Sequence, residues 1–77
     1  MIYSQKELNQ LIKTAQNPNS PKEILITLSQ NTDPHVRNKV AENPSTPTNI
    51  LIKLSQDTHW FVREGVMLNK LNNNLHD

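Results

Sequence analysis

Residues 17–40 recur at 43–66 with a constant offset of 26: NPNSPKEILITLSQNTDPHVRNKV against NPSTPTNILIKLSQDTHWFVREGV. Thirteen of the 24 aligned positions are identical. A chain that repeats itself at this period is read as a helical repeat, in which each unit hides its apolar face against the next. What recurs is packing and turn chemistry: Asn, Pro, Pro, Ile-Leu-Ile, Leu, then Val-Arg and Val. No catalytic signature recurs with it, so the repetition constrains architecture far more than function.

Proline, asparagine and short polar residues divide the chain into five predicted helices. Ser4 and Glu7 make a capping box ahead of Leu8, Leu11, Ile12 and Ala15, which line one face of a first helix over roughly 5–16. Asn17-Pro18-Asn19 breaks it, and Ser20-Pro21-Lys22-Glu23 reads as the next start, with Ser as cap, Pro first and Glu third. That second helix is expected to reach about Gln30 with Leu25 and Leu28 buried. Asp33 caps a third helix with Pro34 at its first position; Val36, Val40 and Ala41 form a narrow stripe, and Asn43-Pro44 ends it near Glu42. Thr46-Pro47 repeats the earlier start for a fourth helix, which carries Ile50, Leu51 and Leu54 to about Gln56. A fifth opens at Asp57 or Thr58 and runs through Phe61, Val62, Val66 and Met67 towards Leu71. Gly65 within it is a weak point worth roughly 1 kcal/mol, and the tail from Asn72 to Asp77 is expected to fray.

The links at 17–20 and 43–46 are too short to separate domains and force sharp reversals. The chain is therefore read as one domain over 1–77: an N-terminal helix at 5–16, repeat units at about 17–42 and 43–68, and a C-terminal cap at 69–77. The expected fold class is all-α, a short right-handed α/α or α/3-10 solenoid of about two and a half stacked repeats. An orthogonal helical bundle is the alternative. A chain of 77 residues buries only about 60% of its unfolded surface, so the core must be thin.

The pattern resembles the variant leucine-rich repeats and, more loosely, HEAT-like repeats. The likeness is carried by Asn17-Pro18, Ser20-Pro21, Ile24-Leu25, Leu28, Asp33-Pro34, Val36-Arg37 and Val40-Ala41. It returns in Asn43-Pro44, Thr46-Pro47, Ile50-Leu51, Leu54, Val62-Arg63, Val66 and Asn69, covering about residues 15 to 70. The resemblance implies alternating α and 3-10 helices in a right-handed superhelix. It implies little about function, because HEAT-like relatives include scaffolds, nucleic-acid binders and a few enzymes. The cysteine-rich iron–sulfur module known ahead of variant repeats does not carry over, since the chain has no Cys. His59-Trp60 replaces Asp33-Pro34 in the second copy, which puts the entry of the fifth helix in question and suggests a modified terminal unit.

The absence of Cys also removes a disulfide framework, a thiolate metal site and a Cys nucleophile. His35, His59 and His76 are scattered without carboxylates at ligand spacing, so no metal or other cofactor is expected. Ser20 and Thr46 are read as caps, and Glu23, Glu42 and Glu64 stand singly, which argues against an enzyme. With no leader-like start and no bilayer-length apolar run, the expectation is a cytoplasmic protein without a membrane partner. The leading functional reading is a non-catalytic protein–protein interaction or scaffolding module that takes a protein or peptide. The alternative is a nucleic-acid-binding repeat using a basic stripe, although the net charge is only +1.

Candidate contact residues are Lys22, Arg37, Lys39, Lys53, Trp60, Phe61 and Arg63. Arg37 and Arg63 recur at one repeat position, where an arginine can pair with Asp33 one turn back, bond preceding carbonyls and tie units together, or meet a ligand. Trp60 and Phe61 are neighbours that a helix cannot aim in one direction. They either close the last hydrophobic layer or leave one ring as an intermolecular anchor, in a further repeat or a weak homo-oligomer.

Overall fold

Five α-helices form close to the predicted bounds: α1 (Gln5–Gln16), α2 (Lys22–Leu28), α3 (Pro34–Glu42), α4 (Thr48–Leu54) and α5 (Trp60–Asn74). The computed structural model describes residues 3–74, with side chains described through Asn72, and there is no strand among them. His76 and the fraying expected of residues 75–77 lie outside the described residues.

The first and third starts form as the sequence requires. The Glu7 amide donates to Ser4 Oγ (3.1 Å) and the Ser4 amide donates to Glu7 Oε1 (3.0 Å), closing the capping box. Hydrogen bonding to the carboxyl from the Ser4 amide, and secondarily from the Ser4 hydroxyl, holds Glu7 below the usual range. Asp33 Oδ1 accepts from the His35 amide (2.8 Å), with Pro34 opening α3. The α5 start keeps register despite His59-Trp60, because Trp60 stands 26 residues after Pro34. Its turn is fixed upstream, where Asp57 Oδ1 accepts from the His59 amide (3.0 Å).

Ser20 and Thr46 do not cap the helices that come after them. Pro21 and Pro47 occupy the cap positions in an extended conformation (φ −58°, ψ 146° and φ −59°, ψ 147°), with no side-chain cap bond. The hydroxyls turn back instead: Ser20 Oγ donates to the Thr14 carbonyl (2.7 Å) and Thr46 Oγ1 to the Val40 carbonyl (2.7 Å). The last carbonyls of a helix lack amide partners, and a chain reversing through Asn-Pro brings the hydroxyl six residues on within reach. α2 and α4 also stop two residues before Gln30 and Gln56. Gln30 and Gln56 close i→i+3 bonds onto Thr27 and Lys53 (both 3.1 Å), so each last turn tightens. α5 exceeds expectation in the other direction, with Asn72, Asn73 and Asn74 helical rather than frayed.

α3 is the hub, packed against α1 and α5 and, more lightly, against α2 and α4. Ala15, Leu28, Val36, Val40, Ala41, Ile50, Leu51, Leu54, Val62 and Val66 form one core, with Leu8, Leu11, Ile12 and Phe61 partly buried against it. Leu25 is fully buried too, but Ile24 is exposed where its repeat mate Ile50 is buried. Gly65 proves to be a packing device. A Cβ added there would lie 3.0 Å from Ala41 Cβ and 3.1 Å from the Asn38 carbonyl oxygen, so its missing side chain allows α5 to approach α3.

Candidate functional site

The repeat places the same polar atoms at the same helix ends, and most of them tie one unit to the next. Asn43 Nδ2 donates to the carbonyls of Ala15 (2.8 Å) and Asn17 (2.9 Å), and Asn69 Nδ2 to those of Ala41 (3.0 Å) and Asn43 (2.9 Å). Both asparagines are buried. Asn38 Nδ2 donates across to the Phe61 carbonyl (2.8 Å). Sequence reasoning missed these ties because it treats asparagines only as helix punctuation; the recurrence of Asn17, Asn43 and Asn69 at 26-residue spacing was the available signal.

Arg37 belongs to this framework. Its Nε and Nη2 donate to Asp57 Oδ2 (2.8 Å) and Oδ1 (3.1 Å), while Nη1 donates to the carbonyls of Asn31 (2.8 Å) and Thr32 (3.2 Å). The acid that pairs with it is thus 20 residues ahead and not Asp33, which instead serves the His35 amide and ring. Burial on its own raises the Asp57 carboxyl, but the Arg37 hydrogen bond, the His59 amide and the nearby positive charge outweigh it and leave it below the usual range.

The remaining candidates fall in different places. Lys22 opens α2 and Lys53 lies in the last turn of α4; both are exposed and they are not repeat equivalents. Lys39 is half-buried on α3 and meets Glu42 at 3.6 Å. Phe61 is half-buried at the centre of a ring cluster, with centroids 5.4 Å from His35, 5.4 Å from His59 and 5.6 Å from Trp60. Trp60 meets it edge-on and is 63% exposed. Arg63 keeps the carbonyl bond of its repeat mate, donating through Nη1 to Asp57 O (2.6 Å), but pairs with no carboxylate among the described residues.

α5 brings Trp60 and Arg63 together with Met67 and Leu71, which were not among the candidate contact residues. At 100° per residue Val62, Val66 and Asn69 fall on its buried side, and Trp60, Met67 and Leu71 fall opposite. Met67 is 61% and Leu71 52% exposed. Arg63 and Lys70 flank this outer stripe on one side, and Glu64 and Leu68 on the other. The outer side of α1 differs in kind, being exposed at Gln5, Lys6, Asn9, Gln10, Lys13 and Gln16. A shallow open depression of about 580 Å³ runs beside Lys6, Asn9, Gln10, Ile12 and Lys13, without convergent polar groups from a second element.

Among the described residues there is no cluster of His, Cys, Asp and Glu able to hold a metal ion, and no helix long and apolar enough to cross a membrane. What the α5 face offers is contact chemistry: exposed apolar area edged by charge. No protein-family model, curated protein or solved structure matches the chain.

Proposed function

We propose that this chain is a non-catalytic protein-interaction module, and that its five helices are a short right-handed solenoid of about two and a half units of the variant leucine-rich type. The hydrogen bonds that recur at 26- and 28-residue separations support the stacked arrangement, since Asn43 and Asn69 each bind the corresponding carbonyls one unit back. The observation that carries the functional reading is the outer stripe of α5. Trp60, Met67 and Leu71 are each more than half exposed on one helix face, while the outer face of α1 is polar. Contiguous exposed apolar surface with a charged rim is the signature of a protein contact site. The near-neutral net charge and the internal use of Arg37 weigh against a phosphate-tracking stripe, which needs several free cations on one path.

The test is site-specific photo-crosslinking in the native cell. A crosslinking residue in place of Met67 or Leu71 is expected to give discrete protein adducts, and one in place of Lys6 or Asn9 to give none. Adducts to nucleic acid, or no adducts from the α5 positions, would overturn the reading.

A further inference from the structure

We propose that the α5 face selects an acidic amphipathic helix of a partner protein, with Arg63 receiving a carboxylate that lies just ahead of that helix. The proposal rests on the protein-interaction reading and adds the chemistry of the partner. The protein contains its own example of such docking. α5 packs on α3 with Asp57, three residues before its first helical residue, in a two-pronged ion pair with Arg37 at 2.8 and 3.1 Å. Arg37 is held for that task by the Asn31 carbonyl six residues back. Arg63 keeps the equivalent bond to the Asp57 carbonyl six residues back, with one carbonyl where Arg37 has two, which leaves Nε and Nη2 as its fork, with no carboxylate on it among the described residues. A guanidinium fixed in that posture matches a carboxylate bidentately.

The rest of the face sets the character of the helix behind that carboxylate. Where α3 offers Ala41 to the glycine of α5, α5 offers Met67; where α3 offers the Asn38 donor, α5 offers Glu64. The close approach made by Gly65 is therefore not repeated, and the surface suits a helix that meets Trp60, Met67 and Leu71 with long apolar side chains. Lys70 lies on the same flank as Arg63, so acids along that edge of the incoming helix are favoured.

A second copy of the chain fits less well. Stacked head to tail, it would bring Gln5 to the position Asp57 holds against Arg37, and Lys6 and Lys13 to the apolar stripe. Paired through α5 about a two-fold axis at Met67, it would set Arg63 on the same flank as Lys70 of the other copy.

The experiment uses the full chain and two designed helical peptides of about 20 residues. Both carry a leucine stripe; one has Asp three residues before its first helical residue and Glu along the edge that meets Arg63 and Lys70, and the other has Lys at all those positions. Trp60, the only tryptophan, is the fluorescence reporter. The acidic peptide is expected to shift Trp60 emission saturably and in a salt-sensitive way, and the Lys peptide to bind at least about 10-fold more weakly. Arg63→Gln should weaken the acidic peptide roughly 10-fold, as for loss of a charge-assisted hydrogen bond, and Met67→Glu should abolish binding. Arg63→Lys, which keeps the charge without the fork, should fall between wild type and Arg63→Gln, and thermal melts of each variant check the fold. Equal binding of both peptides, or indifference to Arg63→Gln, overturns the charge selection and leaves the interaction reading standing. No saturable shift with either peptide, or light scattering that finds a stable dimer lost in Met67→Glu, also overturns the proposal. Selective peptide binding without crosslinks in the cell removes the interaction reading instead.

Discussion

Asn43 is expected to be costly to remove. Its side chain is 2% exposed and makes three hydrogen bonds: to the Ala15 carbonyl (2.8 Å), to the Asn17 carbonyl (2.9 Å) and from the Ser45 amide (2.9 Å). The Ala15 carbonyl depends on it, because Asn19, whose amide would close the next helical bond, donates to Asn17 Oδ1 instead (2.8 Å). Asn43→Ala therefore forfeits about 1 kcal/mol for each of the three bonds and adds about 1–3 kcal/mol for a stranded buried carbonyl, roughly 4–6 kcal/mol in all. A domain of this length holds only about 4–12 kcal/mol in total, so the variant sits close to unfolding.

Asn43→Asp sharpens the test. It is nearly isosteric and still accepts from Ser45, but it turns an anionic oxygen towards two carbonyls. It should be less stable than Asn43→Ala at neutral pH. The new carboxyl must be protonated to fit, so its folded pKa is raised above the unfolded value of about 3.9. Stability is then greatest below that value and is lost as pH rises through the folded pKa. Asn17 is the internal control: it holds the same repeat position but is exposed, and only its Oδ1 is engaged, by the Asn19 amide. Asn17→Ala should cost about 1 kcal/mol or less. Urea unfolding followed by far-UV circular dichroism reads all three, at an m-value of about 1 kcal/mol/M. An Asn43→Ala variant within about 1 kcal/mol of wild type, or an Asn43→Asp variant more stable than it at pH 7, would refute the reasoning.

Gly65→Ala should destabilise despite the roughly 1 kcal/mol gain in helix propensity, because Ala41 Cβ and the Asn38 carbonyl stand at 3.0 and 3.1 Å from the added methyl; a net loss of about 1–2 kcal/mol in thermal or urea melts is expected. Asp57 has a depressed carboxyl pKa, so its contribution is present above the unfolded value and is lost as pH falls through the folded one. Asp57→Asn should therefore melt lower than wild type near pH 7, with the gap closing in acid; a gap that does not change with pH would count against the Arg37 pair. Leu28→Ala and Leu54→Ala remove buried side chains of the one core and should each cost about 2–5 kcal/mol, enough to unfold much of the population at 37 °C by circular dichroism.

The candidate site was only half legible in the sequence. Trp60, Phe61 and Arg63 could be singled out because the rings are adjacent and the arginine recurs. Met67 and Leu71 were not singled out as contact residues, because a helix with several apolar residues does not announce which of its sides meets the rest of the chain. That choice depends on where α3 lies, and α3 takes the side marked by Val62, Val66 and Asn69. The carbonyl bonds of Arg37 and its bridging role were legible from its recurrence, but its acidic partner was not, since an Asp four residues back is the obvious local partner and Asp57 comes near only when α5 packs on α3.

By itself the sequence determined what depends on neighbours along the chain. The 26-residue period, the Pro-bounded breaks, the Ser4–Glu7 and Asp33 caps and the buried Leu and Val positions all come from local sterics and helical periodicity. Tertiary structure decided whatever needs a partner tens of residues away. It turned Ser20 and Thr46 from caps of the next helix into donors to the previous one. It converted Gly65 from a weak point into a point of close approach, and it made Asn43 and Asn69 the buried links between units. It also left one side of α5 uncovered. The physical reason is common to all four: a helix fixes the direction of its side chains, but only packing fixes which carbonyls, methyls and carboxylates they meet.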